Sequence, residues 1–197
     1  MPKDPTKRFS DRVENYVKYR PSYPKKLITV LKDKRIISDN SIIADIGSGT
    51  GIFTRILLDT GCKVFAVKPN DEMRNKAEAS LLHFSYFISI NGQAEQTTLD
   101  SNSINVLTVA QAFHWFDLEK TRKEFLRILK PEGYLVLVWN ERLIDEVLFQ
   151  KEYDSLLRQY CPEYVKVSYH KVTDEQINRF YGSSQIEIFT CEKLSVF

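Results

Sequence analysis

Ile43-Ala44-Asp45-Ile46-Gly47-Ser48-Gly49-Thr50-Gly51 is the stretch on which the reading of this chain turns. Residues 41–46 form a short, nearly continuous apolar run, the pattern of a strand buried on both faces of a parallel sheet. Three glycines follow at alternate positions, and residues 52–59 carry helical spacing. A glycine turn between strand and helix suits a ligand site, because glycine tolerates positive φ and lets another molecule approach the backbone. The spacing is G-x-G-x-G, not the G-x-G-x-x-G of dinucleotide sites, which disfavours NAD. Asp45, just before the turn, is expected to accept a hydrogen bond from an ammonium group or from loop N–H groups. Taken alone, the triplet reads equally as a tight connection between strand and helix.

The alternation continues downstream. Strands are expected at 63–67, 84–90, 104–110 and 134–139, and helices at 71–82 and 117–129, the second with Asp117 as N-cap. Lys130-Pro131-Glu132-Gly133 is read as the turn that ends this second helix. Such alternation implies right-handed crossovers and an α/β, doubly wound, mostly parallel sheet. Upstream, Phe9, Val13, Tyr16 and Val17 lie at helical spacing over residues 8–19, and Arg20-Pro21 ends that segment. A second helix is expected to begin near Pro24, with Leu27, Ile28 and Leu31 on its buried face. Past Asn140, residues 145–160 read as helix, Thr173-Asp174-Glu175-Gln176 as a capping box, and 185–191 as one more strand. We read one domain over 1–197: an N-terminal helical lid (1–36), a core (37–140) and a C-terminal helical region with a last strand (141–197).

The chain has 197 residues, 43% hydrophobic and 27% charged, which suits a globular domain with a real core. A formal charge of +2 gives no electrostatic reason to expect nucleic acid or an anionic membrane as partner. Cys62, Cys161 and Cys191 are odd in number, widely spaced and free of any C-x-x-C pair. That argues against a disulfide framework or a metal site, and points to a cytoplasmic protein.

In order along residues 9–140 stand Tyr16, Tyr19 and Arg20-Pro21-Ser22-Tyr23-Pro24, the glycine turn, and Val67-Lys68-Pro69-Asn70-Asp71-Glu72-Met73. Gly92-Gln93-Ala94-Glu95, Ala110-Gln111-Ala112-Phe113-His114-Trp115-Phe116 and Leu129-Lys130-Pro131-Glu132-Gly133 follow. This set resembles the class I S-adenosylmethionine (SAM)-dependent methyltransferases. It is most similar to the type 11 group that includes trans-aconitate methyltransferase-like and ubiquinone-biosynthesis-type enzymes. The resemblance implies a Rossmann-like sheet and SAM as cofactor. By position it implies that Asp45, Gly47 and Gly49 surround the methionine part, with Ser48 and Gly51 also at the cofactor. Lys68 and Pro69 would stand at the ribose, and Met73 on the adenine. The Gln93 amide and the Ala94 N–H would meet the adenine edge, and Gln111 the methionine or the transferring methyl. Arg20, on the lid, would pair with a carboxylate of cofactor or substrate. It is read equally as solvated surface.

At one position the chain departs from that pattern. Rossmann-type sites carry an acid at the end of the second strand to accept from the ribose hydroxyls, and this chain has Lys68. Lysine has three donors and no acceptor. Either Lys68 snorkels outward and Asn70 or water serves the ribose, or this is a methyltransferase-like fold with impaired SAM use. The family also carries a C-terminal antiparallel hairpin, and only one further strand is legible here. Strand five would then be an open edge, through which a homodimer could form. Methyl transfer relies mainly on proximity and orientation, with a base needed only for a protonated acceptor. His114 is the best-placed base, or else packs in a cluster with Phe113, Trp115 and Phe116. Tyr16 could line the pocket of a small-molecule methyl acceptor, or simply pack the lid. The charges at Glu119, Lys120, Arg122, Lys123 and Glu124 are expected on a solvated helix face.

Overall fold

A computed structural model describes residues 20–141, 148–161, 172–182 and 185–191. The expected first helix, with Tyr16 and Tyr19, lies outside these residues.

Five strands pair side by side, all parallel: β1 (Ile42–Ile46), β2 (Lys63–Val67), β3 (Phe87–Ile90), β4 (Ile104–Ala110) and β5 (Leu129–Val138). Their order is β3-β2-β1-β4-β5. The chain therefore winds outward from β1 to β3, then returns to the other side of β1 with β4. The crevice between β1 and β4 is the point where the strand order reverses, the place where open α/β sheets hold ligands. The registers Ile46↔Val67, Val67↔Ile90 and Ala110↔Val138 bring the carboxyl ends to one rim.

Central strands read as apolar runs because helices cover both faces. Ile43, Ala44, Ile46, Val64, Val106 and Leu107 are fully buried. Against them pack α1 (Lys26–Asp33) through Leu31, α2 (Ile52–Leu58) through Phe53, Leu57 and Leu58, and α3 (Asp71–Leu81) through Ala77 and Leu81. Helix α4 (Leu118–Ile128) buries Thr121, Glu124, Phe125 and Ile128, one face at i, i+3, i+4 and i+7. Each large apolar side chain so buried contributes roughly 1.5–3 kcal/mol. Asp117 caps α4 by accepting from the Lys120 N–H, as expected.

The structure corrects several sequence expectations. Lys130-Pro131-Glu132-Gly133 does not end α4 outside the sheet; it lies within β5. The pairing steps from Ile104↔Leu129 to Val106↔Tyr134, so the extra residues bulge from the edge strand, where proline's missing N–H is tolerated. A Cβ at Gly133 would stand 2.6 Å from Leu129, which explains glycine at the fold-back. Strand β3 begins only at Phe87, because Phe84 and Phe87 are still turning off the end of α3 (Phe84 N–H to Leu81 C=O, Phe87 N–H to Phe84 C=O). Helix α1 begins at Lys26, two residues after Pro24, whose carbonyl accepts from the Leu27 N–H.

The chain divides into two compact units, Met1–Val138 with Glu187–Phe197, and Trp139–Ile186. The second holds α5 (Leu148–Tyr160) and α6 (Asp174–Tyr181). Arg158 donates to Asp154 along α5, and the Thr173–Gln176 capping box opens α6. Residues 185–191 carry no strand. Ile188 is 86% exposed, so the alternation there has no sheet face to bury it. Instead Glu187 pairs with Lys34 at 3.1 Å, and Phe189 lies under the same ammonium. Among the described residues, β5 pairs with β4 alone. No described helix is long and apolar enough to cross a membrane.

Candidate functional site

The glycine turn is bolted to the neighbouring strand. Gly47 and Ser48 both donate their N–H to the Val67 carbonyl at 2.9 and 3.3 Å, and Gly51 donates to Ser48. The N–H groups of Gly49 and Thr50 are left with no acceptor among the described residues. Gly47, Gly49 and Gly51 all have φ between +60° and +84°, a region costly for any residue with a Cβ. Their surroundings differ. A Cβ on Gly47 would stand 2.5 Å from Ala112 Cβ, and one on Gly51 2.6 Å from Leu81. Gly49 is buried, yet a Cβ there would find nothing nearer than the Gly47 carbonyl at 4.0 Å. Beside it, Thr50 Oγ1 is buried without a partner. The turn thus offers two free N–H groups, one orphaned hydroxyl and an unfilled side, all at the β1/β4 crevice.

Asp45 lies under this turn rather than on it. It is fully buried, and its two carboxylate oxygens accept from Thr54 Oγ1 (2.6 Å) and Thr108 Oγ1 (3.1 Å). Burial pushes its carboxyl up to about 6, against the two threonine bonds, which pull it down. Each Asp45 oxygen thus accepts one bond from within the protein, one from α2 and one from β4. Thr54 and Thr108 were missed in the sequence, although a threonine in the apolar run of β4 is a usable signal.

At the carboxyl end of β2, the Lys68 backbone pairs with β3 (N–H to Ile90 C=O, 3.0 Å), and its carbonyl accepts from Arg74 Nη1 at 3.2 Å. The side chain is half-buried, and burial lowers the pKa of the amine. Among the described residues the ammonium has no carboxylate or carbonyl partner. Asn70 Oδ1 caps α3 by accepting from the Met73 N–H at 2.9 Å. Pro69 is half-buried beside it, and Met73 is deeply buried on α3.

The loop after β3 carries Gln93, exposed, and Ala94, buried. Gln93 and Gln96 exchange backbone hydrogen bonds at 3.1 Å. Helix α4 holds this loop. Glu124 accepts from the Thr97 N–H (2.8 Å) and Oγ1 (2.5 Å) and from Arg127, whose guanidinium also reaches the Leu99 carbonyl. These donors, Arg127 foremost, hold the Glu124 carboxyl down to about 2. Glu124 is thus no member of a solvated face. Its place on the stripe of Thr121, Phe125 and Ile128 was the legible sign. Glu95 Oε1 adds a second tie, accepting from the Asp117 N–H at 2.8 Å.

At the end of β4, Gln111 adopts φ +54°, a strained conformation for a side-chain-bearing residue, while its N–H bonds Val138. The short 3-10 turn Phe113–Trp115 follows. Phe113 is core, and His114 tilts against Trp115 with ring centroids 4.7 Å apart. His114 Nδ1 is buried without a partner. Burial, then the positive charge of Arg20, lowers the imidazole to about 4, so it is neutral at physiological pH. Arg20 is exposed and close enough for its charge to act on His114. Among the described residues no three His, Cys, Asp or Glu side chains group as metal ligands.

Residues 44–137 match the methyltransferase domain family. An uncharacterized methyltransferase of Mycobacterium tuberculosis is 37% identical over 140 residues, 71% of this chain and 55% of the relative. An uncharacterized methyltransferase-like protein of Schizosaccharomyces pombe is 35% identical over 155 residues, 78% of this chain and 59% of the relative. The chain therefore spans little more than half the length of these curated relatives. A candidate SAM-dependent methyltransferase structure from Methanococcus maripaludis superposes with a TM-score of 0.68 at 18% identity, covering 91% of this chain and 86% of that one, a likeness of fold. Five parallel strands wound about a glycine turn, the matching domain and these relatives agree: the chain belongs to the class I SAM-dependent methyltransferase family.

Proposed function

We propose that this chain binds SAM at the β1/β4 crevice and transfers its methyl group to a small-molecule acceptor. The observation that carries this is the Gly49–Thr50 corner. A buried hydroxyl and two N–H groups find no partner among the described residues, beside open space where a Cβ on Gly49 would lie. Buried polar groups are rarely left so unless something else meets them. An amino-acid carboxylate would accept from both N–H groups, so the residues fit the methionine end of the cofactor. When bound, SAM supplies an electrophilic methyl on a sulfonium. The protein's part is then to hold and orient. Gln111, fixed in its strained conformation, sets the far wall of the crevice. His114, held neutral with its Nδ1 buried, serves to pack and position beside Trp115 rather than as a strong base, and the charge of Arg20 near it favours an acceptor bearing a carboxylate.

Titration calorimetry with SAM and S-adenosylhomocysteine tests the site. Wild-type chain should bind both, and Thr50→Val should weaken both about tenfold without lowering the melting temperature, since that hydroxyl bonds nothing in the protein. Absence of binding at millimolar ligand would sink the reading. A second reading, a ligand-binding relative without turnover, is favoured by Lys68 at the ribose end. Single-turnover methyl transfer to a panel of carboxylate and hydroxyl acceptors separates the two.

A further inference from the structure

We propose that Lys68 makes the site prefer an adenine nucleoside whose ribose carries a 2′- or 3′-phosphate over one with a free diol. This rests on the reading above, that the rim takes an adenosyl group.

The argument begins with position. Gly47 and Ser48 donate to the Val67 carbonyl, so Lys68, the next residue, is fixed beside the glycine turn. In dinucleotide-binding sheets this position sorts ligands by charge: an acid accepts from the free diol, a cation accommodates a ribose phosphate. Lys68 places a cation there. Its amine is half-buried and meets no carboxylate or carbonyl among the described residues. A desolvated ammonium without a counter-charge is unfavourable, and a phosphate dianion would relieve it with charge-assisted bonds.

The surrounding groups agree. Asp71, the nearest carboxylate in the chain, is held by Arg74 at 2.5 Å, and Arg74 also donates to the Lys68 carbonyl. A second cation, the Arg74 guanidinium on α3, therefore reaches the Lys68 backbone. Asn70, which caps α3 through its Oδ1, is neutral and so does not replace the charge of the missing acid. Glu72, in the first turn of α3, is exposed and subject to solvent screening.

Calorimetry on the whole chain compares adenosine, its 2′-, 3′- and 5′-monophosphates, S-adenosylhomocysteine and inorganic phosphate. The 2′- or 3′-ester should bind at least tenfold more tightly than adenosine, with no such gain for the 5′-ester. Lys68→Met should bring ester and adenosine level, and Lys68→Glu should reverse their order. Each variant is checked by its melting curve, and one that melts like wild type must still lose the preference. If S-adenosylhomocysteine binds but the esters gain nothing over adenosine, this inference falls and the site reading stands. If no adenosine compound binds, both fall. Inorganic phosphate matching the ester would also overturn the inference, because the nucleoside would then contribute nothing.

Discussion

Two neighbouring strands each end on a charge removed from water, and the protein treats them in opposite ways. At the end of β1, Asp45 is fully buried and both its oxygens are met, by Thr54 from α2 and Thr108 from β4. At the end of β2, Lys68 is half-buried and its ammonium is met by nothing among the described residues. The first charge ties strand to helix. The second meets no carboxylate or carbonyl among the described residues, and the proposed ribose-phosphate preference rests on that. Sequence position alone put both residues at the cofactor and did not show that one is met by two threonines while the other meets no partner among the described residues.

The sharpest way to break the comparison is to strip Asp45 of its donors. Thr54→Val with Thr108→Val keeps shape and leaves a buried carboxylate bare. We expect a loss of about 4 kcal/mol, with the Asp45 carboxyl moving further above 6. Denaturant melts read the first effect and carbon-detected NMR titration of Asp45 the second. A double variant as stable as wild type would show that the threonines matter little.

Glu124 offers a third buried charge, satisfied as Asp45 is but by an arginine as well. Glu124→Gln should cost about 3 kcal/mol, or roughly 10 °C in melting temperature. The Gln93–Ala94 loop should then show faster amide exchange, since the bonds from Thr97 and Arg127 lose their charge-assisted acceptor. The pH dependence has a definite sign. The folded carboxyl sits at about 2, below its ordinary 4.5, so the stability it contributes is present above pH 4.5 and is lost as pH falls toward 2. In the variant that acid slope should be absent.

Asp45 predicts the reverse slope. Its folded value, about 6, lies above the ordinary 3.8, so the native state holds the proton more tightly and stability falls as pH rises from 3.8 to 6. Asp45→Asn removes that fall. It should be more stable than wild type by about 1–3 kcal/mol at pH 7 and gain nothing at pH 3.5. His114 complicates the same window: held down to about 4, it makes wild-type stability rise between pH 4 and 6.5. The two slopes oppose each other, so a flat wild-type profile that tilts upward in Asp45→Asn is the expected outcome.

The sheet was legible because its signals are local and repeated. The apolar runs of β1, β2 and β4 fall where expected, since a strand covered on both faces needs an unbroken hydrophobic stretch. The edges read poorly. The bulge at residues 130–133 looked like a helix terminator because proline and glycine signal turns whether or not a sheet continues past them. Residues 185–191 alternate as a strand does, but alternation supplies no neighbour to pair with. At the site, backbone geometry was readable from the glycines, and charge satisfaction was not. That Asp45 is met on both oxygens depends on Thr54 and Thr108, nine and 63 residues away. That Glu124 is buried depends on Thr97 reaching back from another loop.

The smallest expected effect on stability belongs to Lys68, and this asymmetry is what the comparison most needs tested. With no protein partner to lose, Lys68→Met should change stability by no more than about 1 kcal/mol, and in the stabilising direction, because a desolvated amine is removed. Lys68→Glu restores an acceptor for the ribose hydroxyls and should tighten SAM roughly tenfold or more, one charge-assisted hydrogen bond. Equal or weaker SAM binding by Lys68→Glu in calorimetry would mean that the end of β2 does not meet the ribose. A melting temperature several degrees lower in Lys68→Met would mean that the ammonium has a structural partner after all. Both charges would then be structural, and the contrast between the two strand ends would disappear.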